Sequence, residues 1–294
     1  MYSGLYIVIV NWNLVNDTSA CIDSLIQAGA SADQIILVDN GSSDGSVSAL
    51  RTRFGTSLNI IENTHNLGFA HASNQGIQLA LDQGAGWILL LNNDTLAAPD
   101  FLQEFEKAAR STALYAILAP MIFYHDAPDR IWYFGDHLIP GTLITTNPYH
   151  GKVYNNHLPE LVPVDFVSGC AMLVRRDVFD QIGLLDASLV MYGEEVDFCW
   201  RARQAGFHLA ALTKPRIWHK VSLSANRDKP RTRYLRIRNQ VRFYKKYARG
   251  FLLLLMLLFS GLRIMGIIVS DLFKRQAPLI PPTLQGWMDG WKYP

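Results

Sequence analysis

Asn92-Asn93-Asp94 follows Trp87-Ile-Leu-Leu-Leu91 without a break. An apolar run of that length suits a buried strand and is too short for an ordinary helix. In an open parallel sheet, ligands sit outside the carboxyl ends of the strands, so these polar residues would project into a crevice. Taken alone, the stretch fits an Asn-rich turn as well as it fits a metal or ligand site. Asp39 ends a second apolar run, where a carboxylate can accept hydrogen bonds from a base N–H or a ribose hydroxyl; Asp44 behind it reads as a helix N-cap. Asn66-Leu-Gly-Phe-Ala-His-Ala-Ser-Asn74-Gln-Gly76 puts a glycine and polar side chains at a helix start, where backbone N–H groups can face a phosphate. It is neither a GxGxxG fingerprint nor a GKS/T loop.

A further acid-rich stretch is Tyr192-Gly-Glu-Glu-Val-Asp-Phe-Cys-Trp-Arg201. Acids in the first turn of a helix are explained in part by the macrodipole. Asp197 can pair with Arg201 four residues on, and Glu194 shares its face with Asp197. Glu195 is then left for chemistry. The dipole is expected to keep it ionised near neutral pH, as a general base requires. His219 ends a short apolar stretch, and a lone histidine is more often structural than a ligand.

The elements that must position these residues alternate. Apolar runs at Leu5–Val10, Ile35–Val38, Leu58–Ile61, Trp87–Leu91 and Leu114–Ala119 are separated by helix-like segments, the signature of βαβ units and an α/β fold with a mostly parallel sheet. Asp17 or Thr18 is placed to cap the first helix and Gly29 to end it; Gly84 closes a later one. Pro99-Asp100 marks another helix start. Residues 120–163 read as a loop-rich insertion. Val164–Val174 reads as one strand around Ser168-Gly169, followed by helices near Arg176–Gln181 and Glu194–Gln204.

About half of the 294 residues are hydrophobic and 18% are charged, enough for one sizeable core plus an appendage. Net charge is only +2, yet from Arg227 to Arg249 Asp228 is the lone acid among Lys and Arg. Cys21, Cys170 and Cys199 fit neither a disulfide framework nor a cysteine zinc site, which points to a reducing cytosol. The first apolar run has no basic flank and reads as a strand, not a signal peptide.

These stretches, in this order, resemble the family-2 glycosyltransferases, in particular the rhamnosyltransferase-like members of bacterial cell-surface polysaccharide synthesis. Val8-Ile-Val-Asn-Trp-Asn13, Val38-Asp-Asn-Gly-Ser-Ser-Asp-Gly45, Asn66-Leu-Gly-Phe-Ala70, Leu90-Leu-Asn-Asn-Asp94, Ser168-Gly-Cys170, Glu194 to Arg201 and Trp218-His-Lys220 carry the resemblance. It implies a GT-A fold, with a Rossmann-like nucleotide-binding half fused to an acceptor-binding half. It implies a nucleotide-diphosphate sugar donor held by Val10, Asn11, Asp39, Asn66, Gly68, Asn74 and Asn93. Gly169 and Glu194 would face the acceptor, Asp94 and His219 would hold Mg²⁺ or Mn²⁺, and Glu195 would be the base. Two positions depart from the family's pattern. Asn92 stands where an Asp-x-Asp motif begins, so Asp94 alone supplies a charged metal ligand. Glu195 stands where many members have Asp, which leaves Glu194, Glu195 and Asp197 as alternatives for the base.

The expected division is 1–226 for the catalytic domain, with the donor half ending near 120, and 227–294 for a C-terminal helical appendage. The basic stretch Tyr234–Ala248 leads into Phe251–Phe259, an apolar run too short to span a bilayer, which continues past Arg263. A charge there is costly in hydrocarbon. The expectation is an in-plane or re-entrant helix beside anionic headgroups, with a transmembrane span as the alternative, a lipid-linked glycan as acceptor and a place at the cytoplasmic face of the cell membrane. Nucleic acid is not expected as a partner, because the basic run leads into an apolar one. A sugar-1-phosphate nucleotidyltransferase would need a Gly-rich basic loop after the first strand, where Asn11-Trp-Asn-Leu14 stands; an inactive glycan binder would be expected to lack Asp94 or the acid cluster.

Overall fold

The computed structural model describes residues 4–111, 113–221 and 228–292. Its first third follows the apolar runs: β1 (Leu5–Asn11), α1 (Val15–Gln27), β2 (Ile35–Asp39), α2 (Ser46–Phe54), β3 (Asn59–Glu62), α3 (Phe69–Asp82) and β4 (Trp87–Asn92). The strands are parallel, with β1 between β2 and β4, so that Asn11 lies beside Asp39 and Val10 beside Asn92 at one sheet edge. Helices cover the sheet, which is why every residue of β2 is buried. Gly29 and Gly84 follow the ends of α1 and α3 with positive φ, as expected. The start of α1 differs from the expectation. It begins at Val15, leaving Asp17 free to take the Lys220 ammonium at 2.6 Å and Thr18 to donate its hydroxyl to Asn11 Oδ1 at 2.7 Å. At α2 the cap position belongs to Gly45; Asp44, one residue earlier, still accepts the Ser46 N–H at 3.1 Å.

The chain continues through β5 (Thr95–Ala97), α4 (Phe101–Ser111), β6 (Tyr115–Tyr124), β7 (Ile131–Tyr133), β8 (His137–Leu138), β9 (Thr145–Thr146), β10 (Leu161–Val164), β11 (Ala171–Arg175), α5 (Arg176–Ile182), α6 (Glu194–Gln204) and β12 (His208–His219). The main sheet runs β10-β12-β6-β11-β4-β1-β2-β3, with β5 on β12 and β7 on β6. β12 and β6 are parallel, whereas β11 enters antiparallel between β6 and β4. The single strand expected over Val164–Val174 is two strands. Phe166 accepts the Asp136 N–H, the chain turns at Ser168-Gly169 with the Ala171 N–H donating to the Ser168 carbonyl, and Gly169 stands against the Glu195 side chain.

α7 (Lys229–Tyr247), α8 (Gly250–Phe273) and α9 (Ile280–Lys292) form the C-terminal part. The boundary expected at residue 226 falls outside the described residues. Phe243 and Tyr244 of α7 join the main core. α9 packs closely on α7 through two glycines: a Cβ at Gly286 would lie 2.6 Å from the Tyr234 carbonyl oxygen, and one at Gly290 2.5 Å from Val241 Cβ. The apolar run expected to be too short is part of one 24-residue helix, α8, roughly 36 Å long, which by length and composition could cross a membrane. Arg263 does not interrupt it, since a long basic side chain is compatible with helix and can reach away from the apolar face.

Candidate functional site

A cavity of about 710 Å³ opens at the carboxyl ends of β1 and β4. Val10, Trp12, Asn40 and Asn66 line it together with Asn92, Asn93, Asp94 and His219, and with Gly169, Glu194 and Glu195. Arg236, Asn239, Gln240, Phe243 and Tyr244 of α7 and Phe259 and Arg263 of α8 complete the lining.

Asp94 and His219 meet because β5 runs antiparallel to β12. Thr95 is directly opposite His219, and Lys220 N–H donates to the Asp94 carbonyl at 2.9 Å. Asp94 Oδ1 and His219 Nε2 lie 3.1 Å apart, both almost fully buried. Neither Asp94 Oδ1 nor His219 Nδ1 has a hydrogen-bond partner among the described residues, so the approach is close without being a well-directed hydrogen bond. Two ligands about 2.1 Å from one ion and at a right angle would be about 3.0 Å apart. The pair therefore fits a divalent cation. No cluster of three or more His, Cys, Asp or Glu side chains placed to hold a metal occurs among the described residues.

Glu194 and Glu195 open α6 behind Gly193, which has φ +94°. Glu195 Oε2 accepts the Gly193 N–H at 3.0 Å, and a Cβ on Gly169 would come within 3.4 Å of Glu195 Cβ. Burial pushes the Glu195 carboxyl up from its ordinary range, against the lowering pull of helix N–H groups and of Arg236. The dipole expected to keep Glu195 ionised is thus opposed by desolvation. Glu194 is lifted well above the carboxylate range, first by burial and then by the charge of Glu195, and its Oε2 has no partner among the described residues. Two carboxyls this close and this buried oppose each other's ionisation. Asp136 is pushed up to about 7 by burial and by Glu195. Asp197 makes the expected pair with Arg201 at 2.7 Å, and also accepts from Lys246 Nζ at 2.7 Å and Tyr247 Oη at 2.6 Å.

Other expected donor residues lie behind the lining. Asn11 is fully buried; it donates to Asp39 Oδ2 at 2.7 Å and accepts from Thr18 and from Asn93, at 3.2 Å. Asp39 also accepts the Ser42 N–H at 2.9 Å, so both its oxygens are engaged at the strand end. Gly68, with φ +90°, lets the chain pass Val190, whose Cγ1 would be 2.6 Å from an added Cβ. Asn74 was expected at the donor; instead its amide bridges the Leu185 backbone, donating at 2.8 Å and accepting at 3.0 Å, away from the cavity. Asn40, not among the residues expected at the donor, also lines the cavity. It donates to Asn66 Oδ1 at 3.1 Å and accepts the Leu67 N–H at 3.0 Å, and its place beside Asp39 was the available signal.

The family model described as glycosyl transferase family 2 matches residues 6–183, well over half of the chain. The chain belongs to glycosyl transferase family 2. A hexosyltransferase of low-salt glycan biosynthesis, Agl10 from Haloferax volcanii, is 28% identical over 99% of this chain and 92% of its own length. An N-acetylglucosaminyl-diphospho-decaprenol L-rhamnosyltransferase from Mycobacterium tuberculosis is 29% identical over 66% of this chain and 68% of its own. A mannosyltransferase from Pyrobaculum calidifontis, solved with GDP-Man and Mn²⁺, superposes with a TM-score of 0.54 at 14% identity, over 99% of this chain and 88% of that one. GalNAc-T7 with UDP, GalNAc and Mn²⁺ gives 0.58 at 15% identity, over 74% of this chain and 43% of that one, so this glycosyltransferase spans less than half of that structure. The fold is GT-A, and the protein is an enzyme that transfers sugar from a nucleotide sugar.

Proposed function

We propose that this glycosyltransferase transfers a hexose, with dTDP-rhamnose the first donor to test, to a hydroxyl of a lipid-linked glycan at the cytoplasmic face of the membrane, with inversion at the anomeric carbon. The observation that carries the reading is the single cavity joining the β1 and β4 strand ends to Asp94, His219, Glu195 and α8. Residues 1–120 would hold the donor, with its base and ribose towards Val10, Asn40 and Asn66 and the β2 end at Asp39. Residues 121–226 would contribute the acceptor side, with Gly169 and Glu194, and 227–294 would bring the cleft to the membrane.

Asp94 and His219 would hold Mg²⁺ or Mn²⁺ together with the donor's phosphates, and such an ion supplies charge neutralisation to the departing diphosphate. His219 tilts the preference towards Mn²⁺. Glu195 takes the proton from the acceptor hydroxyl. That oxygen attacks the anomeric carbon from the face opposite the leaving group, the bond from anomeric carbon to phosphate oxygen breaks with its electron pair, and nucleoside diphosphate departs. Glu194, which lines the same cavity, would hydrogen-bond a sugar hydroxyl of the acceptor and help orient it.

α8 supports the membrane assignment. Phe251, Leu254, Leu258, Leu262, Met265, Val269 and Leu272 are more than half exposed on one side, while Met256, Ser260, Ile264 and Asp271 are buried on the other. Asp271 is paired with Arg233 of α7 at 2.9 Å, and Ser260 Oγ accepts from Trp287 Nε1 of α9 at 3.2 Å. A helix fastened along one side to its own domain and apolar along the other suits the plane of a bilayer surface better than a span through it. The M. tuberculosis relative, named for a diphospho-decaprenol acceptor, is consistent with a lipid-linked substrate here.

Membranes carrying the full chain, incubated with a panel of nucleotide sugars and extracted glycolipid, test the reading. Release of nucleoside diphosphate that depends on both one donor and the glycolipid is expected. Donor hydrolysis unaffected by any lipid-linked acceptor would overturn it.

A further inference from the structure

Between Arg249 and Asp271 the sequence carries one charged residue, Arg263. At 100° per residue it stands at the seam of α8, between the side buried on the domain and the apolar exposed side. One turn back on the same edge is Phe259, and both line the cavity that holds Glu195. Arg263 is exposed, makes no hydrogen bond or ion pair among the described residues, and influences the Tyr244 hydroxyl at the cavity wall. A second guanidinium, Arg236, lies over the Tyr192 ring with its carbon 4.5 Å from the centroid and acts on Glu195, nearer the chemistry.

An unpaired guanidinium beside an apolar membrane-facing surface is unfavourable unless an anion meets it, and phosphate oxygens match its fork of N–H donors. An acceptor whose sugar lies at Glu195 and whose tail lies along α8 has to pass this seam at the point where sugar gives way to lipid. We propose that Arg263 binds the phosphate that links the acceptor's sugar to its lipid, so that the cavity selects a sugar-phospholipid over a glycoside without phosphate. The inference rests on the lipid-linked acceptor proposed above and adds the group that recognises its linkage.

Binding of farnesyl diphosphate to the full chain in neutral detergent micelles tests it without any turnover. Arg263→Ala should weaken that binding about 10- to 100-fold, the size of a lost charge-assisted contact, and Arg263→Lys should lose less. Farnesol, which lacks phosphate, should bind wild type and variants alike. In parallel, flotation with phosphatidylglycerol and phosphatidylcholine vesicles separates the two sources of phosphate. The expected result is that Arg263→Ala floats as wild type does. Unchanged farnesyl diphosphate binding in Arg263→Ala would overturn the proposal, and so would a defect seen only with phosphatidylglycerol vesicles, which would make Arg263 a headgroup contact. A wild type that binds farnesyl diphosphate through Arg263 yet never transfers sugar to a diphospholipid-linked glycan would uphold the phosphate site and defeat the acceptor reading.

Discussion

Asn239, fully buried on α7, donates its side-chain amide to the Tyr192 carbonyl at 2.6 Å, two residues before the acid pair. The same amide reaches the carbonyls of Leu189 and Met191, at 2.8 and 2.9 Å. The loop it holds is strained: Val190 and Tyr192 both have φ +68°, unfavourable for a β-branched and a bulky residue. Strain of this kind persists when the surroundings over-determine it.

Asn239→Ala should therefore cost about 1–3 kcal/mol by taking the amide donor from the Met191 and Tyr192 carbonyls; Leu189 keeps the Arg238 guanidinium at 3.0 Å. It should lower kcat more than it raises the donor KM, because the loop leads into Glu194 and Glu195, the acids proposed for the acceptor side. Denaturant unfolding and steady-state kinetics together check it; equal kcat in a destabilised protein would make Asn239 purely structural.

Asp94→Ala should abolish metal-dependent turnover in a folded protein, and His219→Ala should weaken Mn²⁺ more than Mg²⁺ activation. Titration of chelator-treated enzyme with each ion reads both. Full activity in excess chelator would remove the metal from the mechanism.

Glu195→Gln should retain donor binding and lose about 10²- to 10⁴-fold in transfer. Because burial raises this carboxyl, the acid limb of the rate profile should lie above the ordinary carboxylate range. For Glu194 the sign in stability follows from linkage. A folded-state pKa above the unfolded one means that the folded protein holds the proton more tightly, so stability falls as pH rises from the unfolded towards the folded value. Glu194→Gln should flatten that decline, and melting temperatures across pH would reveal a slope that stays unchanged if the direction is wrong.

Asp197→Ala should act on stability, by about 3–5 kcal/mol, since it leaves Arg201, Lys246 and Tyr247 without their shared acceptor. A folded, fully stable but inactive Asp197→Asn would instead make Asp197 the base.

Leu258→Glu with Leu262→Glu should move the protein from the membrane to the soluble fraction without unfolding it, because both side chains are exposed. A tag after residue 294 probed in sealed inverted vesicles decides topology; access only from the periplasmic side would defeat the in-plane reading.

Period and punctuation made much of this legible. The strands β1 to β4 announce themselves as apolar runs with polar ends, and the Asp197–Arg201 pair follows from helical spacing alone. What spacing does not carry is register between distant segments. Asp94 and His219 are 125 positions apart and meet through β5, a strand of three residues concealed in an Asn-rich turn. Lys246 and Tyr247 reach Asp197 only because α7 folds back over α6. Burial is the other hidden quantity. The macrodipole of α6 acts on Glu195 from its own helix, whereas the walls around it come from the Gly169 turn and α7. Arg263 was legible as a cost in hydrocarbon, but its position at the cavity seam depends on which side of α8 meets the domain.

Phe259 and Arg263 line the same cavity as Glu195, and α8 turns its apolar side outward beside that opening. If α8 rests on the bilayer, the cleft has a fixed height above it. A glycan would then be measured as well as recognised: a hydroxyl on the first sugars above the lipid comes level with Glu195, and one farther along a longer chain stands past it. The helix would act as a ruler, confining the enzyme to an early step of chain assembly by reach alone.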